Sequence, residues 1–257
     1  MTNTEPNSSG IKTAERVFDI IELIRNLDGA MTWEVASELD IAKSTAHEYL
    51  KTLERREYLV REDDTFHLSL RFLDHGMYAT NRYPAERIVR PIIDRVADET
   101  KELVWFTVEE NGHIIDLYRA EGQRALTIGA WVGKRNHMHH LAAGKAILAY
   151  LPEERVREIL DEQGMPEYTE HTVTDPDELI SELEEIRDRE IAFNDQETTV
   201  GMRSVAAPVI QDGHPVGSII ITGPAKRMKD DRLRTELPDL LLAASNELEL
   251  KLLSESM

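Results

Sequence analysis

KSTAHEYLKTLERREYLV, residues 43–60, is the stretch on which the reading of the chain turns. Ala46, Tyr49, Leu50 and Leu53 recur at three- and four-residue steps, which places them on one side of a helix running from about Lys43 to Arg56. The other side carries Ser44, Thr45, His47, Glu48 and Lys51. These are short donors, an imidazole, a carboxylate and an ammonium, the groups that reach phosphates and base edges.

Upstream, Ala14, Val17, Phe18, Ile21, Ile24 and Leu27 form the apolar stripe of a first helix that Asp28-Gly29 ends. Thr32 is the expected N-cap of a short second helix that turns Val35, Ala36 and Leu39 inward. Downstream, YLVR, the acidic turn EDDT and FHLSL read as two short strands. Three helices and a hairpin describe a winged helix-turn-helix, whose third helix enters the major groove of DNA. A plain three-helix bundle with a solvated face shares the helical spacing, but the tight LDIAKS connection and the hairpin favour the DNA-binding form.

The charge runs against that reading at first sight. The 257 residues carry 49 Asp and Glu against 30 Lys and Arg, a formal net charge of −19. Locally the balance reverses: Lys43, Lys51, Arg55, Arg56 and Arg61 outnumber Glu48, Glu54 and Glu57. Elsewhere the acid is dispersed, and Arg is favoured over Lys. That pattern resembles proteins of salt-loving organisms, where carboxylates keep the surface hydrated; an ordinary acidic protein is the alternative. At molar salt the Debye length falls to ~3 Å, so net charge ceases to argue against nucleic acid.

Length and a 41% hydrophobic content suit two compact domains. No apolar run reaches the ~18 residues of a membrane span. The start, MTNTEPNSSG, lacks the basic and apolar regions of a signal peptide and reads as a disordered tail over residues 1–10. Without cysteine there is no disulfide, thiolate metal site or thiol nucleophile. A cytoplasmic protein is expected.

After the hairpin, residues 71–82 continue in helical register with Phe72, Leu73, Met77 and Tyr78 on one side, and Pro84 marks a break. ERIVRPIIDRVADET comes next as a helix with Ile88, Val89, Ile92, Ile93 and Val96 inward and a kink expected at Pro91. The expected organisation is a DNA-binding domain over residues 11–70, a helical linker over 71–82 and a second domain over 83–257. In that second domain the period becomes β-like: LVWFTVEE, HIIDLYRA, ALTIGAWV, SVAAPVIQD and PVGSIIITG read as strands. Helices at AAGKAILAYL, PEERVREILDEQ, PDELISELEEIRDR and Pro238–Leu252 complete an α+β arrangement with an antiparallel sheet.

Enzymatic motifs fail in turn. AAGKA lacks the first Gly and the final Ser or Thr of a phosphate loop, since His139 and Ala146 stand there. In HMHH, adjacent histidines of an extended segment point to opposite faces and no carboxylate stands at ligand spacing, so no metal is expected. Ser204 has no nearby histidine as its base, and there is no Gly-x-Ser-x-Gly elbow. No catalytic residue and no cofactor are assigned.

The segments TAERVFDIIELI, MTWEVASELDIAKSTAHEYLKTLERREYL and FHLSLRFLDHG resemble the DNA-binding half of IclR-family transcriptional regulators. GKRNHMHHLAAGKAILAYL and REIAFNDQETTVGMRSVAAPVIQDGHPVGSIIITGP are similar to that family's GAF-like effector domain. The resemblance covers about Ile11 to Leu252. It implies DNA contacts from Ser44, Thr45, His47 and Lys51, and an effector pocket using Ala142, Ala143, Asn194, Ser204 and Thr222. The local cations Lys43, Arg55 and Arg61 join the expected DNA surface by their charge, and Glu48 either accepts from a base or pairs with Lys51 one turn on. Family members commonly have Arg in place of Glu48, Gly in place of Ser69, an acidic residue in place of Asn194 and Ser in place of Ile220. The resemblance further implies a ligand-responsive regulator, a homodimer or homotetramer on a double-stranded operator, whose effector is a sugar acid or other small organic acid. The alternatives are an enzyme or binding protein acting on a small metabolite through the GAF-like domain, and a winged helix that docks a basic protein.

Overall fold

The computed structural model describes residues 10–83, 85–126 and 129–255. Tail residues 1–9 and Pro84 lie outside them. The chain divides into two compact units, with the boundary between Ala79 and Thr80.

In the first unit, α1 (Lys12–Asn26), α2 (Thr32–Glu38) and α3 (Lys43–Arg55) pack with a three-stranded sheet of β1 (Ala30–Met31), β2 (Leu59–Glu62) and β3 (Thr65–Leu68), in the order β1-β3-β2. The strands of the wing hairpin run from the pair Leu59–Leu68 to the pair Glu62–Thr65. Ile20, Ile24, Val35, Ala46, Leu50, Leu53, Leu59 and Phe66 form the core. Two expectations are corrected. The buried stripe of α1 centres on Ile20 and Ile24, while Ala14 and Leu27 are exposed and Phe18 is 66% exposed. Residues 17–24 are apolar on more than one side, so two stripes satisfy the same spacing and the sheet selects one. Thr32 is not the cap but the first residue of α2. Met31 is held extended by its pairing with Thr65, and its N–H donates to Glu34 Oε2 at 2.7 Å.

The helix expected as a linker, α4 (Arg71–Thr80), packs on the first unit around Tyr58, and its Arg71 donates to Arg56 O at 3.1 Å and to Glu57 Oε2 at 3.0 Å. Tyr58 meets Phe72 edge-on at 5.3 Å, stacks with His75 at 5.6 Å, and lies under the Arg71 guanidinium at 5.1 Å.

The second unit is built on six antiparallel strands in the order β6-β5-β4-β9-β8-β7. They are β4 (Leu103–Glu110), β5 (His113–Glu121), β6 (Arg135–His137), β7 (Ala192–Asp195), β8 (Met202–Gln211) and β9 (His214–Pro224). On one face, α5 (Ala85–Thr100) and α9 (Leu237–Glu255) pack on Val104, Phe106, Val205, Ala207, Ile219 and Ile221. On the other, α6 (Ala142–Leu148), α7 (Glu153–Gln163) and α8 (Pro176–Arg189) pack on Leu103, Trp105, Ala206 and Ile220. Because both faces are covered, β4 is an almost unbroken apolar run, and alternation does not reveal its faces.

ALTIGAWV is not a strand among its described residues. Gly133 takes a left-handed φ of 87°, and the segment rejoins the sheet only where the Gly133 N–H donates to Asp116 O at 2.7 Å. The β-branched composition is a false strand signal; the edge strand is Arg135–His137, followed by a turn at His139 and His140. That turn corrects the expectation for HMHH: the imidazoles converge, with ring centroids 5.0 Å apart for His139–His140 and 5.9 Å for His137–His139. Among the described residues no cluster has metal-holding geometry.

Gly144 lies where α6 presses on this turn. A Cβ there would collide with Met138 O and stand 2.6 Å from Met138 Cα, both backbone atoms. Gly144→Ala should lower the unfolding free energy by roughly 1–3 kcal/mol, the scale of overpacking; an unchanged denaturant midpoint contradicts this packing.

Candidate functional site

The first candidate surface is the outer side of α3. Ala46, Leu50 and Leu53 anchor the helix in the core, which leaves Lys43, Ser44, Thr45, His47, Glu48, Lys51 and Arg55 exposed. Lys51 pairs with Glu54 at 3.0 Å and not with Glu48, which lies 3.7 Å from His47. Among the described residues Lys43 and Arg55 make no ion pair. Arg61 is engaged by the wing's own tip, donating to Asp63 O at 2.7 Å and to Asp64 Oδ1 at 2.6 Å.

The second is a cavity of about 250 Å³ in the second unit, between the sheet and the start of α6. Antiparallel register builds one end of it. Asn194 on β7 faces Ser204 on β8, which faces Thr222 on β9, and the two hydroxyls meet at 3.0 Å. Ala143 joins these three on the wall; Ala142 does not line the cavity, being fully buried one residue earlier in the helix. Trp105, Ile114, Leu141 and Ile220 supply apolar wall.

Asn194 is committed to its own loop. Its Nδ2 donates to His140 O and to Thr198 Oγ1 at 2.8 Å, and its Oδ1 accepts from Glu197 N at 3.1 Å. Beneath this loop Lys145, 1% exposed, donates to Glu197 Oε1 at 2.7 Å and to Glu182 Oε1 at 2.8 Å. Burial pushes the Glu197 carboxyl up despite the ammonium beside it. Burial, then His139, His137 and Lys145, push His140 down to about 3, so its imidazole is neutral.

Sequence reasoning missed Asp116, Thr107, Lys134 and Asn136, all on the cavity wall. The available signal was an acid, Asp116, two residues after Ile114 in the apolar first half of β5, hence on the same face. Asp116 is 8% exposed, and Asn136 Nδ2 approaches its Oδ2 at 3.5 Å. Burial raises its carboxyl to about 7, against the opposing field of Lys134.

An exposed polar helix on a winged unit, and in the same chain a walled cavity with few polar groups, define a DNA-binding regulator with a ligand-binding domain. Family comparison agrees: residues 13–63 match the IclR helix-turn-helix domain and residues 77–250 the C-terminal domain of bacterial IclR regulators. The chain belongs to the IclR family of transcriptional regulators. It is 31% identical over 255 residues to the probable HTH-type transcriptional regulator ArcR of Halobacterium salinarum, covering 97% of this chain and 96% of that protein. The crystal structure of Thermotoga maritima IclR superposes with a TM-score of 0.78 at 25% identity, covering 95% of this chain and 99% of that one. An IclR homologue of Microbacterium hydrocarbonoxydans, solved in complex with 4-hydroxybenzoate, shows the same fold at 20% identity (TM-score 0.77), with 93% and 97% of the chains covered.

The burial of Asp116 sets a pH dependence. Its folded value of about 7 lies above the ~3.9 of an unfolded chain. The stability it contributes is therefore complete below about pH 4 and is lost as pH rises to about 7. Asp116→Asn should be stabilising relative to the parent by an amount that grows over that window, to on the order of a few kcal/mol, and is constant above it. Equal differences in unfolding free energy at pH 5 and pH 8 contradict the placement.

Proposed function

We propose that the chain acts as a homodimer or homotetramer that lays α3 in the major groove of a pseudo-palindromic operator and changes its grip when a small organic acid fills the cavity of the second unit. Two half-sites would lie one helical turn, ~34–36 Å, apart. The observation that carries this reading is the split of α3: its apolar side is locked in the core while Ser44, Thr45, His47 and Lys51 stand exposed together. Lys43 and Arg55 are free cations for phosphates, whereas Arg61 is already occupied by the wing's acidic tip. The effector acts through different affinities for DNA-competent and DNA-incompetent arrangements.

We take the chain to bind its effector without turning it over. Ser204 has a threonine hydroxyl as its partner, and no histidine lines the cavity to serve as its base. The Halobacterium relative is named as a probable transcriptional regulator. Among the described residues no helix is long and apolar enough to cross a membrane, which supports a cytoplasmic setting. The dispersed acid, together with a relative from a halobacterium, supports a salt-rich one.

The operator is obtained by sequencing DNA that co-purifies with the protein at high salt. On it, Lys51→Ala combined with Arg55→Ala should weaken binding about 10-fold or more and flatten the salt dependence by about 0.9 in log–log slope for each phosphate no longer neutralised. Arg61→Ala should change affinity less, because its guanidinium is held by Asp63 and Asp64. Unchanged affinity in the double variant removes groove docking by α3. Ser204→Val should weaken effector binding by ~1–3 kcal/mol in calorimetry if the hydroxyl is a buried ligand contact; unaltered binding moves the site elsewhere.

A further inference from the structure

The cavity has two polar ends and an apolar middle, and the strand register shows how they are spaced. Ser218, Ile220 and Thr222 point to one face of β9. Opposite them on β4 stand Thr107, Trp105 and Leu103 respectively. At the Thr222 end the next strand offers Ser204; at the Thr107 end β5 offers Asp116, paired directly with Thr107. Trp105 and Ile220, side by side on the wall, separate the two ends. Two inter-strand steps and four residues of rise place the Cα atoms of Asp116 and Thr222 roughly 15 Å apart, so a ligand of two or three carbons touches only one end.

The ends differ in chemistry. At the first, Ser204 and Thr222 bond to each other, and the hydroxyl that accepts in that bond keeps its O–H to donate to a ligand carboxylate. Asn194 adds little, since its amide is spent on its own loop. At the second, Thr107 is engaged by Ser218, which also donates to Ala143 O at 3.2 Å. That leaves Asp116 as the strong acceptor of this end, with the long contact from Asn136 as the one hydrogen bond on its carboxylate among the described residues, and Lys134 as the other charged side chain described on the cavity wall.

Resting on the assignment of this cavity as the effector site, we infer that Asp116 is a specificity-determining residue that receives a hydroxyl from the far end of an elongated effector, so that the site takes hydroxylated monocarboxylic acids and rejects dicarboxylates. A hydroxyl donates to the Asp116 carboxylate across the cavity, whereas a second ligand carboxylate brings like charge against it in a site screened from water. Trp105 and Ile220 offer a planar or aliphatic middle the apolar contact it needs.

Calorimetry on the full-length protein at pH 8, above the raised value of Asp116, tests this with two probe series: 4-hydroxybenzoate, benzoate and terephthalate, then gluconate and glucarate. The expected result is at least a ~10-fold preference for the hydroxylated monoacid over its dicarboxylate, and over the acid lacking the hydroxyl, in the series that binds. Asp116→Asn should compress these ratios to within about 3-fold and admit the dicarboxylate, while Ser204→Val weakens every member alike. Dicarboxylates binding as well as monoacids, or a ranking unmoved by Asp116→Asn, overturns the role of Asp116 and leaves the cavity assignment standing. Failure of every probe in both series to bind removes the cavity assignment itself, and this inference with it.

Discussion

A sheet covered on both faces leaves the polar side chains of its middle nowhere to meet bulk water, and the second unit is organised by that constraint. Each hydroxyl, amide or carboxylate on the strands must pair with a neighbour, close a loop or open onto a cavity. Thr107 and Ser218 take the first course, and Ser218 passes its hydrogen bond on to the Ala143 carbonyl. Asn194 takes the second, tying residues 194–198 to the His140 carbonyl. Ser204, Thr222 and Asp116 take the third, and the cavity exists where they do. Polar groups that burial would otherwise penalise by a few kcal/mol each are therefore either satisfied within the fold or turned to where a ligand can use them.

Shape at the other side of the cavity depends on a buried charge. Lys145 sits at 1% exposure between Glu197 and Glu182, linking α6 to the loop after β7 and to α8. An ion pair this deep adds little net stability over an apolar replacement, because desolvation offsets attraction, but losing one partner strands the others at a cost of several kcal/mol. Its effect is to fix relative position: the loop carrying Thr198 and Thr199, which line the cavity, cannot drift from the helix that carries Ala143.

Much of this was legible in the residues. Period and turn chemistry place α3, α5, α7, α8 and the wing within a residue or two, because those segments have one polar side, whereas α6, buried on every side, and α9 end three residues from where the spacing puts them. Errors occur where that contrast disappears. In α1, Phe18 and Ile20 both fit a helical stripe, and only the position of β3 decides which is buried. In residues 125–132 composition imitates a strand, while the described ends of the segment bond in turns, Ala125 N–H to Gly122 O and Lys134 N–H to Trp131 O. His139 and His140 come together because the chain bends after His137, a bend that no local residue type announces. The row Asn194–Ser204–Thr222 entered through family resemblance, and strand register then explains why the three are neighbours. Asp116 was on display in its strand, but its importance depends on both sheet faces being covered, which is a tertiary fact.

The first unit sets the opposite problem, since its surface must meet a polyanion while the chain carries −19. At ordinary ionic strength, with a Debye length of ~8–10 Å, carboxylates well away from α3 would push a duplex off. At molar salt that range shrinks to ~3 Å, and only groups in near contact with phosphate still count. The side chains of α3 fit the second regime: hydroxyls of Ser44 and Thr45, the imidazole of His47, and cations on short reach, with Lys51 partly neutralised by Glu54. The wing fits it as well. Arg61, turned onto the Asp63 carbonyl and the Asp64 carboxylate, offsets one of the tip's three acids, and at molar salt the other two, Glu62 and Asp63, act only in near contact. An acidic protein can thus hold DNA by contacts too short for salt to screen, with the acid that α3 does carry, Glu48 and Glu54, lying beside His47 and Lys51.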